Sequence, residues 1–203
     1  MENVGNNFER QDPWRKAILK EREIARISKT LKSALSKYEG DHKNALILGD
    51  ASLVQSRFFL EEEKFEHVVN VDSSPSIMDN EIVSIQDQRL ERFQKEFDEY
   101  DFDQKKFDFV YGKSIAFNPK ETVEDLLKNI AASLNEKGMF YALYGGEGDS
   151  YRDGISYTWD EIQKLYNDNH LQIVDYKEVD REVEGILNRQ GRQHEFRVTA
   201  IKK

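Results

Sequence analysis

The chain has 203 residues, 39 acidic against 30 basic side chains, a formal net charge of -9 and no cysteine. The missing cysteine excludes disulfide scaffolds, thiolate zinc sites, iron–sulfur clusters and cysteine nucleophiles. No run approaches the roughly 18 apolar residues of a membrane helix, and the acidic balance argues against an overall nucleic-acid footprint. No leader-like apolar stretch stands in the first thirty residues, so a cytoplasmic protein without membrane attachment is expected. The length suits one domain, and 11% aromatic residues with 3 prolines argue for a folded core.

Residues 1–11 read as a polar tail. Asp12 and Pro13 then begin a long helix, whose Trp14, Ile18, Ile24, Ile27, Leu31, Leu35 and Tyr38 form one apolar stripe ending near Gly40. Its polar face is basic, which suits a packing helix or a lid over a ligand cleft. Residues 44–48 are a buried strand, 52–63 a helix, 66–71 a second strand and 81–85 a short third strand. Residues 89–100 read as helical and 107–111 as a fourth strand. Residues 122–135 form a helix with Val123, Leu126, Leu127, Ile130, Ala131 and Leu134 inward, ended by Lys137-Gly138. Residues 139–144 are a fifth strand. Residues 158–169 form a helix that Thr158 caps with Glu161 three residues on. Strands at 171–177 and 194–202 follow, with the polar stretch 178–193 read as a long loop between them.

Five strands alternating with helices predict a parallel α/β sheet of the Rossmann-like kind, with helices on both faces. The last two strands have no helix between them and predict an antiparallel hairpin at one edge, giving seven strands in all. Residues 1–43 are expected to be a tail and helical extension, and 44–203 the main domain.

In such a sheet a ligand lies beyond the carboxyl ends of the strands. The residues just past each strand are therefore the candidates. Gly49, Asp50 and Ala51 follow the first strand in a tight turn into a helix. Asp72 and Ser73 follow the second, and a carboxylate there can accept hydrogen bonds from both ribose hydroxyls of an adenosine ligand. Gln86 and Asp87 follow the third, placed to meet an adenine edge. Tyr111 closes the fourth. Gly145 to Ser150 form a flexible loop after the fifth, where Glu147 and Asp149, then Tyr111 and Tyr144, are the candidate bases. The four histidines are scattered, with no pair at ligand spacing, so no metal site is expected.

From Asn44 onward, the order of elements and the segments LILGDASLVQSRFFLE, VNVDSSPSIM, KKFDFVYGKS and LLKNIAASLNEKGMFYALY resemble the class I S-adenosylmethionine-dependent methyltransferases. The resemblance implies S-adenosylmethionine as cofactor, methyl transfer to a small-molecule or other cytoplasmic acceptor, and a ribose contact at Asp72. It does not imply nucleic-acid binding. The chain departs from the family pattern at three places: Ile47 replaces an acidic residue, and Ala51 and Leu53 fall on its second and third glycines. Leu53 is expected to deny that position a positive φ. These departures support the alternative of a catalytically inactive, methyltransferase-like binding or scaffolding protein with a protein partner. A nicotinamide oxidoreductase is weaker, because no Gly-x-Gly-x-x-Gly turn is present.

Overall fold

The computed structural model describes residues 27, 29–78, 87–102, 104–113, 115–150, 155–184 and 190–203. Its strands are β1 Asn44–Leu48, β2 His67–Asp72, β3 Leu90–Gln94, β4 Phe107–Gly112, β5 Leu134–Gly145, β6 Leu171–Glu184 and β7 Gln190–Lys202. They form one seven-stranded sheet in the order β3-β2-β1-β4-β5-β7-β6. β1 to β5 run parallel, and β7 lies antiparallel between β5 and β6. The Rossmann-like sheet with its antiparallel hairpin is thus as the sequence predicts.

Four helices flank it among the described residues: α1 Lys29–Leu35, α2 Val54–Glu61, α3 Lys120–Ser133 and α4 Trp159–Asp168. Alternation along the strands divides the core in two. Leu46, Leu48, Val69, Val71, Val110, Phe140 and Ala142 face the apolar stripes of α3 and α4. Ala45, Ile47, Val68, Phe109, Tyr111, Met139 and Tyr141 face α1 and α2, from which Leu31, Leu35, Phe58 and Phe59 pack down. A strand buried on both faces has no polar side, which is why 45–48 and 109–111 read as unbroken apolar runs. At the amino edge of the sheet, the Asp108 carboxylate accepts from the Asn44 amide at 2.8 Å and Asn135 Nδ2 at 2.6 Å. It thereby ties the starts of β1, β4 and β5 together.

Three expectations are corrected. Residues 89–100 are not a helix. They hold β3, paired in parallel register with Val68–Asp72, and then a single 3₁₀ turn, Phe97–Glu99. Leu90, Phe93, Phe97 and Tyr100 recur at helical spacing, but pairing with β2 prevails over that local pattern. The third strand placed at 81–85 lies outside the described residues. The stretch 178–193 is not one long loop either, because the β6–β7 ladder continues out to Glu184 and Gln190. Its outer half is polar because it leaves the core, and backbone pairing needs no apolar side chain. Finally, α3 ends at Ser133, and Leu134 already pairs with Phe107. Of the long N-terminal helix, residue 27 and residues 29–40 are described; the helix there ends at Leu35, short of Tyr38, and α1 packs its Leu31, Ala34 and Leu35 into the sheet face.

Candidate functional site

The sheet order reverses between β1 and β4, and the carboxyl ends of β1, β2 and β4 meet there. The Gly49 amide donates to Val71 O at 2.9 Å, and the Lys113 amide to Leu48 O at 3.1 Å. Gly49 therefore stands level with Asp72 on one side and Lys113 on the other. Its φ of 93° is one that glycine alone takes cheaply.

Beyond Gly49 the chain turns inward. Asp50 is 0% exposed, and its carboxylate accepts from Ser52 Oγ at 3.0 Å, the Ser56 amide at 2.7 Å and Ser56 Oγ at 2.9 Å. Asn70 Nδ2, buried on β2, donates to Asp50 O at 2.8 Å and Ser56 Oγ at 3.0 Å. Asp50 thus caps α2 from inside the protein and fixes the loop with hydrogen bonds.

Leu53 precedes α2 with φ 56° and ψ 16°. The expectation that leucine would forbid a positive φ here is corrected. The left-handed conformation costs about 1–2 kcal/mol. Burial of the side chain against Ile77, Ala51 and Leu90 offsets that cost, leaving Leu53 2% exposed.

Asp72 Oδ1 accepts from the Ser74 amide at 2.8 Å, folding the chain into the 3₁₀ turn Pro75–Met78. Asp72 is half-buried and Ser73 exposed. The structure therefore brings Gly49, Asp50, Ala51, Asp72 and Ser73 together, with the backbone of Asp50 at the turn and its side chain directed away from it.

The other sequence candidates fall elsewhere. Tyr111 lies in the core below the rim, stacked on Tyr141 with centroids 5.6 Å apart. Gln86 is outside the described residues. Asp87 precedes β3 instead of following it, so it sits at the amino edge of the sheet. The whole length of β3 therefore separates it from Asp72, which pairs with Gln94. Its carboxylate is held by Arg89 at 2.7 Å, and that hydrogen bond lowers its pKa below the ordinary value. Arg89 also reaches Leu60 O and Phe65 O.

The carboxyl end of β3 is instead Gln94, followed by Lys95 and Glu96. The Lys95 amide donates to Asp72 O at 3.2 Å. Sequence reasoning missed these residues because it read 89–100 as a helix, and no turn signal marks their position.

On the loop after β5, Asp149 Oδ2 accepts from the His194 amide at 3.1 Å, and the Glu147 side chain is exposed. Tyr144 is buried against Tyr157 and Tyr166 and donates to Tyr166 Oη at 3.2 Å. Burial pushes its phenol well above the ordinary value, which makes it a packing group.

No protein-family profile matches the chain, and no curated protein matches it. Solved structures do. The N-methyltransferase NodS from Bradyrhizobium japonicum is 14% identical over 91% of this chain and 97% of its own, with a TM-score of 0.66. NodS solved with S-adenosyl-L-homocysteine gives 14% identity, 99% of both chains and a TM-score of 0.64. The Haloferax volcanii protein solved in complex with the Trm112 methyltransferase activator gives 15%, 98% and 99% of the two chains, and 0.68. The fold is that of the class I S-adenosylmethionine-dependent methyltransferases.

Within this methyltransferase fold the chain's departures acquire a geometry. Ile47 is wholly buried in the face beneath α1 and α2, so no acidic group stands on β1 below the turn. The carboxylate that the loop does carry, Asp50, is spent on α2. It already occupies the Ser56 amide, one of the α2 N-terminal donors that an anionic ligand group would otherwise meet. The rim instead offers a carboxylate acceptor at Asp72 for a diol, beside close-lying backbone at Gly49.

Proposed function

We propose that the chain is an S-adenosylmethionine-dependent methyltransferase acting on a small molecule in the cytoplasm. The observation that carries this reading is Asp72, placed beside Gly49 at the switch point and oriented by the Ser74 amide. The site fits this cofactor, which has a ribose diol for Asp72 and needs no phosphate-binding turn.

In this reading Asp72 accepts from the ribose hydroxyls, Ser73 borders them, and the backbone from Gly49 to Ala51 passes beneath. Gln94, Lys95 and Glu96, on the far side of Asp72, take the place at the base edge that the sequence assigned to Gln86 and Asp87. The cofactor supplies an electrophilic methyl group on a sulfonium. The chain holds the acceptor in line, and rate comes chiefly from that positioning. A base is needed only for an acceptor that arrives protonated, and Glu147 and Asp149 are the acids on the loop after β5.

Calorimetry with S-adenosylmethionine and S-adenosylhomocysteine tests the reading. Binding is expected, and Asp72→Ala should weaken it by more than about tenfold, the worth of a lost charge-assisted hydrogen bond. An absence of heat at millimolar ligand would overturn it. That result would favour the inactive, scaffolding reading, which the buried bulk of Leu53 under the turn supports.

A further inference from the structure

The loop after β5 is fastened to β7 around one histidine. His194 is 9% exposed. Its Nδ1 lies 2.8 Å from Glu147 O, and its Nε2 lies 2.8 Å from Glu178 Oε1 on β6. Both partners are acceptors. A neutral imidazole has one N–H and would set its remaining lone pair against one of them, whereas the imidazolium satisfies both.

The backbone is shaped to the ring. A Cβ on Gly146 would lie 2.6 Å from it, so glycine is required there. Further bonds run from the Gly146 amide to His194 O at 2.7 Å, from the His194 amide to Asp149 Oδ2 at 3.1 Å, and from the Ser150 amide to Arg192 O at 2.9 Å.

We propose that the imidazolium of His194 is a positioning group. It latches the 146–150 loop to the β6–β7 hairpin, and its deprotonation loosens the side of the crevice where the acceptor enters. The role at the crevice rests on the methyltransferase reading. Adenosine held by Asp72 occupies the rim over β1 to β3, which leaves the rim over β4 and β5 for the amino-acid end of that ligand and for the acceptor, and the 146–150 loop borders it.

Among the described residues, the charged groups around the ring are Glu147 and Asp149 on the loop, Glu178 and Asp180 on β6, and Arg192 on β7. Burial opposes the charged ring. The hydrogen bonds to Glu147 O and Glu178, with the charge of Asp180, outweigh burial and Arg192, so the pKa of His194 lies above its ordinary value. A raised folded-state value means that the latch is complete at and below the ordinary histidine range and is lost as pH rises through the raised value. The backbone bonds remain, so the loop loosens without detaching.

Hydrogen exchange of the amides at 146–150, in the protein without ligand and corrected for intrinsic rates, tests the latch beside an NMR titration of the His194 ring. Loop protection should fall about tenfold with the same midpoint as the ring. Glu178→Gln, at an exposed carboxylate, should move both midpoints down together. His194→Gln should give low protection at every pH. A flat loop profile while the ring titrates, or a Glu178→Gln midpoint that stays put, would overturn the latch.

Affinity for S-adenosylhomocysteine, followed through the same midpoint, tests the link to the crevice. A several-fold loss supports it, and constant affinity overturns it. If that ligand gives no heat at any pH, the methyltransferase reading fails and the link to the crevice fails with it. Exchange still decides the latch in that case.

Discussion

At the residue scale, Leu53 and Asp50 show how a turn usually written in glycine is built without most of it. Leu53 holds φ 56° and is paid back by burial beside Ile77. Both Leu53→Ala and Leu53→Gly lose that burial and should destabilise by about 2–3 kcal/mol. Only glycine also relieves the left-handed strain, so Leu53→Gly should be the milder by about 1 kcal/mol, the reverse of the order in a helix. Urea midpoints of the two variants decide this; an alanine variant as stable as the glycine one would mean the backbone strain is not felt.

Asp50→Ala should cost about 2–4 kcal/mol, because it strips the Ser56 amide and two hydroxyls of their acceptor inside the protein. The same urea measurement, with α2 followed by amide exchange, should show the loss concentrated at its first turn.

At the element scale, α4 is the segment in which local signals suffice. Thr158 and Glu161 form the reciprocal cap that their spacing predicts, with the Glu161 amide donating to Thr158 Oγ1 at 3.2 Å and the Thr158 amide to Glu161 Oε2 at 2.8 Å. Lys120 of α3 also reaches Glu161 at 2.6 Å, so the cap doubles as a link between the two helices. Thr158→Ala should lower stability by about 1 kcal/mol, seen as a fall of about 2–4 °C in Tm for a chain of this length. β3 is the opposite case. Its five residues contain helix formers at helical spacing, and only the neighbouring β2 makes them a strand. The outer half of the β6–β7 hairpin is similar, since a solvated ladder leaves no apolar alternation to read.

At the scale of the whole molecule, the unexpected contribution is that of α1. It lies outside the stretch whose sequence motifs resemble the family, yet Leu31, Ala34 and Leu35 complete the core cluster beneath β1 and β4. Arg197 on β7 donates to Thr30 Oγ1 at 2.7 Å, and Lys37 pairs with Asp175 on β6 at 2.6 Å. Leu31→Ala should therefore cost about 2–4 kcal/mol and shift the whole unfolding curve without splitting it. Two separate transitions, by circular dichroism and by tyrosine fluorescence, would show instead that the helix is an appendage.

The sequence by itself determined six of the sheet's seven strands, its hairpin edge, four helices' worth of apolar stripes and the position of Asp72. Burial on two faces writes unbroken apolar runs, and capping writes short-range spacings, so both can be read one segment at a time. It could not determine that Asp87 lies at the far edge from Asp72, that Gln94 to Glu96 stand at the carboxyl end of β3, or that Asp50 turns inward to cap α2. Each depends on which strand pairs with which and on hydrogen bonds between residues distant in the chain. His194 is the same kind of case. It is one scattered histidine among four in the chain, and becomes a latch only where β6, β7 and the loop after β5 converge on its ring.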